Sequence, residues 1–335
     1  MTQVTLGGPN LHRRALLGGL AAGVLAPRAR AETLPILTKP DQELMVPVEG
    51  GRIYVRVNGD LNGRRPPLIY MHGGPGGNHI GLLPLTALAE QRAVILYDQL
   101  DSGRSDAPED PANWRVSRFV DELDHIRAAL GVERWHVGGG SWGGTLAIEY
   151  GARRPRALQS LIVQSPLVST RSWMADAARL RRQLPAATRD TLTACEASPP
   201  PEAALCDAAT KAYYAAHVRR STGRNPVLAE YAGREPRRAG RVIYERMWGK
   251  SEFAASGILK TYDGEALLKR LNGPRTLFVS GQYDEATPAT VAGFARQVRG
   301  STFKEIKGAA HAILADQPEP FLELVSGWCA RFDRG

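Results

Sequence analysis

The sequence predicts an α/β fold, a mostly parallel doubly wound sheet with an inserted helical cap. Three observations carry this expectation. From residue 52 onward, short β-rich runs alternate with helical stretches, the order of a parallel sheet with helices on both faces. Within those runs LIYM, AVILY and TLFV are continuously apolar, as strands covered on both faces require. Between about residues 167 and 260 the strand pattern stops, Arg- and Ala-rich helical segments take over, and strands resume at Arg275.

Taken in order, the chain opens with MTQVTLGGPNLHRRALLGGLAAGVLAPRARA. Its basic pair Arg13-Arg14, its apolar run from Ala15 to Ala26 and an Ala29-Arg30-Ala31 cleavage pattern read as an export signal over residues 1–31, too short for a membrane span. The paired arginines give it a twin-arginine character, so the expected location is periplasmic or secreted. Four of the 43 basic residues lie in this segment and none of the 34 acidic ones, so the chain beyond it carries a formal charge of +5 against +9 for the whole.

Candidate strands lie at 52–59, 67–73, 93–99, 135–140, 158–165, 275–282 and 301–308. Between the third and fourth, VSRFVDELDHIRAALG (116–131) places Val116, Phe119, Leu123, Ile126 and Leu130 at helical spacing and stops at Gly131. Residues 32–166 and 261–335 are thus expected to form one core and 167–260 the cap. In the cap, Cys195 and Cys206 flank a triple-proline loop and could bridge in an oxidising compartment; Cys329 reads as buried packing. No group of Cys and His has metal-ligand spacing. The basic residues outside the signal are mostly scattered arginines of the cap with few aromatics among them, a solvated surface and not a nucleic-acid groove. The expected partner is a small molecule; the oligomeric state is left open.

GGGSWGGT, residues 138–145, sits between a strand and a helix and admits two readings. As G-x-G-x-x-G it would be a dinucleotide fingerprint, but that motif follows a first strand and needs an acid about 20 residues on. Here three candidate strands precede it, and LQSLIVQSP (158–166) contains no acid. As G-x-S-x-G it is a nucleophile elbow exposing Ser141 at the top of a sheet, with partners following in the order Ser, acid, His.

Only His217 and His311 follow Ser141. His217 lies among arginines on a cap helix and reads as a surface residue. His311 lies just beyond the last candidate strand, where an open sheet places its site. By the same argument Asp284, after RTLFVSGQ, is the acid. The serine hydroxyl needs a neutral base to take its proton, and the acid fixes that base's tautomer and stabilises the imidazolium. The oxyanion would take one donor from the Trp142 main-chain N–H and one from HGGPGG (72–77) after an early strand. Gly74 is the candidate donor there, and Gly73 lets the backbone approach the substrate.

HGGPGG, YDQLDSGRSD (97–106), GGSWGGTLA (139–147), SGQYDEATP (280–288) and GAAHAILADQPEPF (308–321) together resemble the proline iminopeptidase family of α/β-hydrolases. The resemblance covers nearly all of the chain beyond the signal, weakly in the cap. It implies a serine aminopeptidase that releases an N-terminal residue, often proline, from a small peptide or amino-acid amide, without metal or cofactor. It also implies cap carboxylates for the free amine; VIYERMWGKSEF (242–253) carries Glu245 over as the candidate, with Glu230 and Glu196 behind it. The alternative for Glu245 is a plain ion pair with a nearby arginine. The chain departs from the family pattern at Asp101, where a glycine is usual. The fold and triad leave open an esterase, lactonase or acylase on the same scaffold, or a non-catalytic binding protein built on it.

Overall fold

Eight strands form one sheet in the order β1-β2-β4-β3-β5-β6-β7-β8. They are β1 (Gln42–Val48), β2 (Gly51–Asn58), β3 (Leu68–Met71), β4 (Val94–Tyr97), β5 (Trp135–Gly140), β6 (Leu158–Gln164), β7 (Thr276–Gly281) and β8 (Thr302–Ile306). The structure, a computed structural model, describes residues 35–197, 200–223, 225–235 and 240–334. The export signal expected at 1–31 lies outside the described residues. From β4 to β8 every pairing is parallel, whereas β1–β2 and β2–β4 are antiparallel.

All seven candidate strands are present. The eighth, β1, has no counterpart among them. QELMVPV is an edge strand with an exposed-to-half-buried pattern and one fully buried residue, Val46, and it carries a proline that only an edge tolerates. No apolar run marks it; its place comes from pairing with β2.

The buried strands sort their side chains by alternation. Ile69, Met71, Ile95, Tyr97, Val137, Val163 and Phe278 face one way. They pack on Phe119, Leu123 and Ile126 of α1 (Val116–Ala129) and on Leu146 and Tyr150 of α2 (Trp142–Ala152). Leu68, Tyr70, Val94, Leu96, Ile162, Leu277 and Val279 face the other. Each such side chain stabilises the fold by about 1.5–3 kcal/mol when fully buried.

Between β6 and β7 the chain forms α3 (Thr170–Arg181), α4 (Ala186–Cys195), α5 (Ala203–His217), α6 (Pro226–Arg234) and α7 (Arg241–Met247). This block has its own small core of Ala177, Leu180, Leu192, Ala209, Tyr213 and Phe253. A disulfide joins Cys195 at the end of α4 to Cys206 in α5. After β7 come α8 (Pro288–Gln297), α9 (Ile313–Asp316) and α10 (Pro318–Ala330), and α10 buries Phe321, Leu322, Val325 and Trp328 against the second face. Cys329 is a free, buried thiol. Among the described residues no helix is long and apolar enough to cross a membrane, and no cluster of three or more His, Cys, Asp or Glu has metal-holding geometry.

Candidate active site

Four loops at the C-terminal ends of parallel strands carry the candidate residues. Ser141 follows β5 directly, with φ 57° and ψ −121°, a conformation that costs on the order of 1–3 kcal/mol for a residue with a side chain. What holds it there is close packing of α2 against the sheet. A Cβ on Gly143 would lie 2.3 Å from the Met71 carbonyl oxygen, so only glycine lets the helix start so near β3. The Trp142 N–H heads α2, in the first turn, where main-chain donors have no partner within the helix.

The glycine loop after β3 lies against the same point. A Cβ on Gly73 would stand 3.1 Å from Ser141 Cβ, so this backbone approaches the serine as closely as a glycine allows. Gly74, Pro75, Ser141 and Trp142 line one narrow cleft together with Leu167, Trp173, Trp248, Glu252 and Leu259. The insertion thus supplies one wall of the cleft and the sheet ends supply the other.

Asp284, after β7, is 1% exposed and fully engaged. Its Oδ1 lies 2.8 Å from His311 Nδ1 and accepts the Ala286 N–H at 2.9 Å. Its Oδ2 accepts the Ser165 hydroxyl at 2.5 Å and the Gly281 N–H at 3.0 Å. Three donors besides the imidazole hold this carboxylate in place. Ser165, the residue after β6, had no sequence signal beyond being polar at a strand end. His311 follows β8, and the Trp173 ring stands edge-on to its imidazole at 5.6 Å. Among the described residues no hydrogen bond joins His311 to Ser141 Oγ. Burial works against the imidazolium, but the Asp284 carboxylate and, further off, Glu252 outweigh it and raise the His311 pKa above its usual value.

His217 is more than a surface histidine. It ends α5, half-buried, and its carbonyl accepts the main-chain N–H groups of both His311 and Glu285 at 3.2 Å. Its Nδ1–H donates to the Tyr283 carbonyl at 3.1 Å. The insertion is therefore hydrogen-bonded to the loops that carry the candidate base and acid.

Glu245 stands outside the cleft. It is on α7 with its side chain 41% exposed, and Arg241 Nε, one helical turn earlier, donates to it at 2.6 Å. The inner face of α7 is given by Ile243 and Met247 instead. Glu230 and Glu196 are likewise paired, with Arg234 and Arg181. The carboxylate that reaches the cleft is Glu252, in the loop after α7. Its Oε1 accepts the Tyr244 hydroxyl at 2.8 Å, and its carbonyl accepts Trp173 Nε1–H at 2.9 Å.

Beside Glu252 lies Glu285, 1% exposed, and neither of its oxygens has a partner among the described residues. The buried Tyr213 hydroxyl is also unpartnered. Burial lifts both carboxyls above the usual range, Glu285 well above it because the charges of Glu252 and Asp284 add to the effect. A buried carboxyl beside a half-buried one, with no cation paired to either among the described residues, is a costly arrangement. Sequence reasoning missed both. Glu285 sits in plain view in YDEATP, but only the fold shows that no arginine pairs with it among the described residues.

Asp101 has φ 64° and is buried. Its carboxylate accepts Trp114 Nε1–H at 2.9 Å and the Glu109 N–H at 2.7 Å. It thus fills a glycine-like position and holds a surface loop, without reaching the cleft.

Residues 66–318 match the family described as alpha/beta hydrolase fold. A proline iminopeptidase of Heyndrickxia coagulans is 38% identical over 283 residues, 84% of this chain and 96% of its own. One of Levilactobacillus brevis is 32% identical over 299 residues, 87% of this chain and 97% of its own. The crystal structure of the proline iminopeptidase of Mycobacterium smegmatis superposes with a TM-score of 0.79 at 33% identity, covering 87% of this chain and 99% of that one.

Proposed function

The chain belongs to the α/β-hydrolase family and, within it, to the proline iminopeptidases, and from that premise we propose how it releases an N-terminal residue, proline among them, from small peptides or amino-acid amides. Ser141 Oγ attacks the first carbonyl of the substrate while His311 Nε2 takes its proton. Asp284 accepts from Nδ1–H, which fixes the tautomer and stabilises the imidazolium. The negative oxygen of the tetrahedral intermediate lies between the Trp142 and Gly74 N–H groups, donors worth on the order of 3 kcal/mol each. His311 then gives its proton to the leaving amine, and water, activated by the same imidazole, hydrolyses the acyl-enzyme.

The free amine is the second half of the reading. One observation carries it: Glu252 lines the cleft with Ser141, and the buried Glu285 carboxyl, close enough to feel its charge, has no hydrogen-bond partner among the described residues. An N-terminal ammonium placed there sets the distance from chain end to scissile carbonyl at one residue. The walls of Trp173, Trp248, Leu167 and Leu259 suit a compact apolar side chain or the proline ring. Glu252 and Glu285 thus replace Glu245 as the amine-binding candidates. The chain works, in this reading, in an exported oxidising compartment; the N-terminal signal pattern and the Cys195–Cys206 bridge support that.

A hydrolysis panel tests the reading, with prolyl and alanyl anilides, their N-acetyl forms and a short-chain ester given to wild type and Ser141→Ala. Cleavage of the free-amine anilides that vanishes in the variant is expected. Preferential turnover of the ester or the N-acetyl forms would move the function to an esterase or acylase.

A further inference from the structure

The motif YDQLDSGRSD holds a buried amide that joins two loops of the site. Gln99 is 1% exposed. Its Oε1 accepts the indole Nε1–H of Trp142 at 2.8 Å, and its Nε2–H donates to the His72 carbonyl at 3.3 Å. Its main-chain N–H donates to His72 Nε2 at 3.1 Å. Trp142 is the residue after the nucleophile, and His72 immediately precedes Gly73 and Gly74. One side chain therefore spans the two segments that carry the two oxyanion donors.

The residue is itself held from both sides. Its main-chain carbonyl accepts the Ser102 hydroxyl at 2.7 Å. The next residue, Leu100, donates its N–H to buried Glu122 at 3.1 Å. The preceding Asp98 is bound by the His79 main chain at 2.6 Å and by its ring at 2.9 Å. A rigid bracket of this kind keeps a site within the fraction of an ångström that catalysis needs.

We propose that Gln99 is a positioning residue that sets the separation of the Trp142 and Gly74 N–H groups and so the fit of the oxyanion hole to the tetrahedral intermediate. The inference rests on the reading of Ser141 as nucleophile and of those two groups as donors. Its amide is suited to the task because one end must accept and the other donate. Methionine fills similar space and does neither. Glutamate keeps the acceptor toward Trp142 but turns a second oxygen toward the His72 carbonyl.

Interactions realised only in the transition state lower kcat when lost, without a matching change in KM. Gln99→Met is expected to lower kcat for a prolyl anilide by about 10- to 100-fold, the scale of a misplaced catalytic group, with KM within about threefold. Gln99→Glu should fall at least as far. Affinity for prolyl boronic acid, which adds to the serine as a tetrahedral anion, should fall in step with kcat, while inhibition by free proline stays unchanged. A merely structural role would not separate the two inhibitors. If Gln99→Met does not fold, Trp142→Phe decides, because it keeps the main-chain N–H while removing the indole donor to Gln99 along with part of a ring packed on Phe119; it should show the same kcat-selective loss and the same separation of boronate from proline. Full kcat in the folded Gln99→Met variant, or equal loss of boronate and proline binding, would overturn the inference. If Ser141→Ala kept its activity, the underlying reading would fall instead.

Discussion

In the proposed mechanism a single proton on His311 decides when the site can act. Burial opposes its charge, yet Asp284 and Glu252 hold the imidazolium on above the ordinary value of 6.5. Only the neutral ring can act as base, so activity should be lost as pH falls through this raised value. The acid limb of kcat/KM is therefore expected above pH 6.5. In Glu252→Gln one of the charges that favours the imidazolium is gone, and the limb should move to lower pH. A pH–rate profile of the two proteins checks this, and an unmoved limb would mean that Glu252 does not act on the base. The carboxylates also mark where sequence reading stopped. The cap is rich in Glu and Arg, and spacing alone cannot tell which carboxylate is consumed in an ion pair. Glu245 has an arginine one turn away and is consumed, whereas Glu285 is enclosed by the fold with no partner for its carboxyl among the described residues.

At the scale of elements, the junction of β5, α2 and β3 does most to shape the site. The glycine run that posed two readings in the sequence is explained by contact: Gly143 lets α2 begin against the carbonyl of Met71. Gly143→Ala would place a methyl 2.3 Å from that oxygen, and the backbone must move. Overpacking of this kind costs about 1–3 kcal/mol, and here the displaced atoms include the neighbours of both proposed oxyanion donors. Urea unfolding should show that loss, with activity falling further than the stability change accounts for. A variant of wild-type stability and activity would show that the close approach is unnecessary. The same contrast governs what was legible in the strands. LIYM and VILY announce themselves because both faces are buried, while β1, exposed or half-buried everywhere but Val46, acquires its place only by pairing with β2.

Across the whole molecule, the core and the inserted helices meet where recognition and chemistry meet. His217 at the end of α5 bonds to the loops of His311 and Glu285, and Trp173 of α3 touches both the imidazole and the Glu252 backbone. The chain order of Ser141, Asp284 and His311 could be read from the sequence because open sheets place sites at strand ends. The seating of the helices could not, since it depends on long-range bonds between main chains. Holding Glu285 buried carries a cost with a definite sign. Its carboxyl is raised well above 4.5, so its contribution to stability is fully present below the ordinary carboxylate value and is lost as pH rises through the raised one. Each unit of elevation is about 1.4 kcal/mol. Glu285→Gln should thus leave stability unchanged near pH 4 and raise it increasingly toward neutral and alkaline pH, read as Tm against pH. A variant less stable than wild type across that range would mean that the carboxylate has an unseen partner.

The same pair is where recognition by the amino terminus is most open to test. The ratio of kcat/KM for prolyl anilide to that for N-acetyl-prolyl anilide, measured in wild type and in Glu285→Gln, tests whether an ammonium is bound beneath the cap. Removing one partner of a buried charge pair typically costs about 3–5 kcal/mol. The wild-type ratio should therefore exceed about a hundredfold, and it should collapse in the variant chiefly through loss of the free-amine reaction. Equal turnover of both anilides by wild type, or a ratio untouched by the substitution, would contradict an enzyme that finds its substrate by the amino terminus.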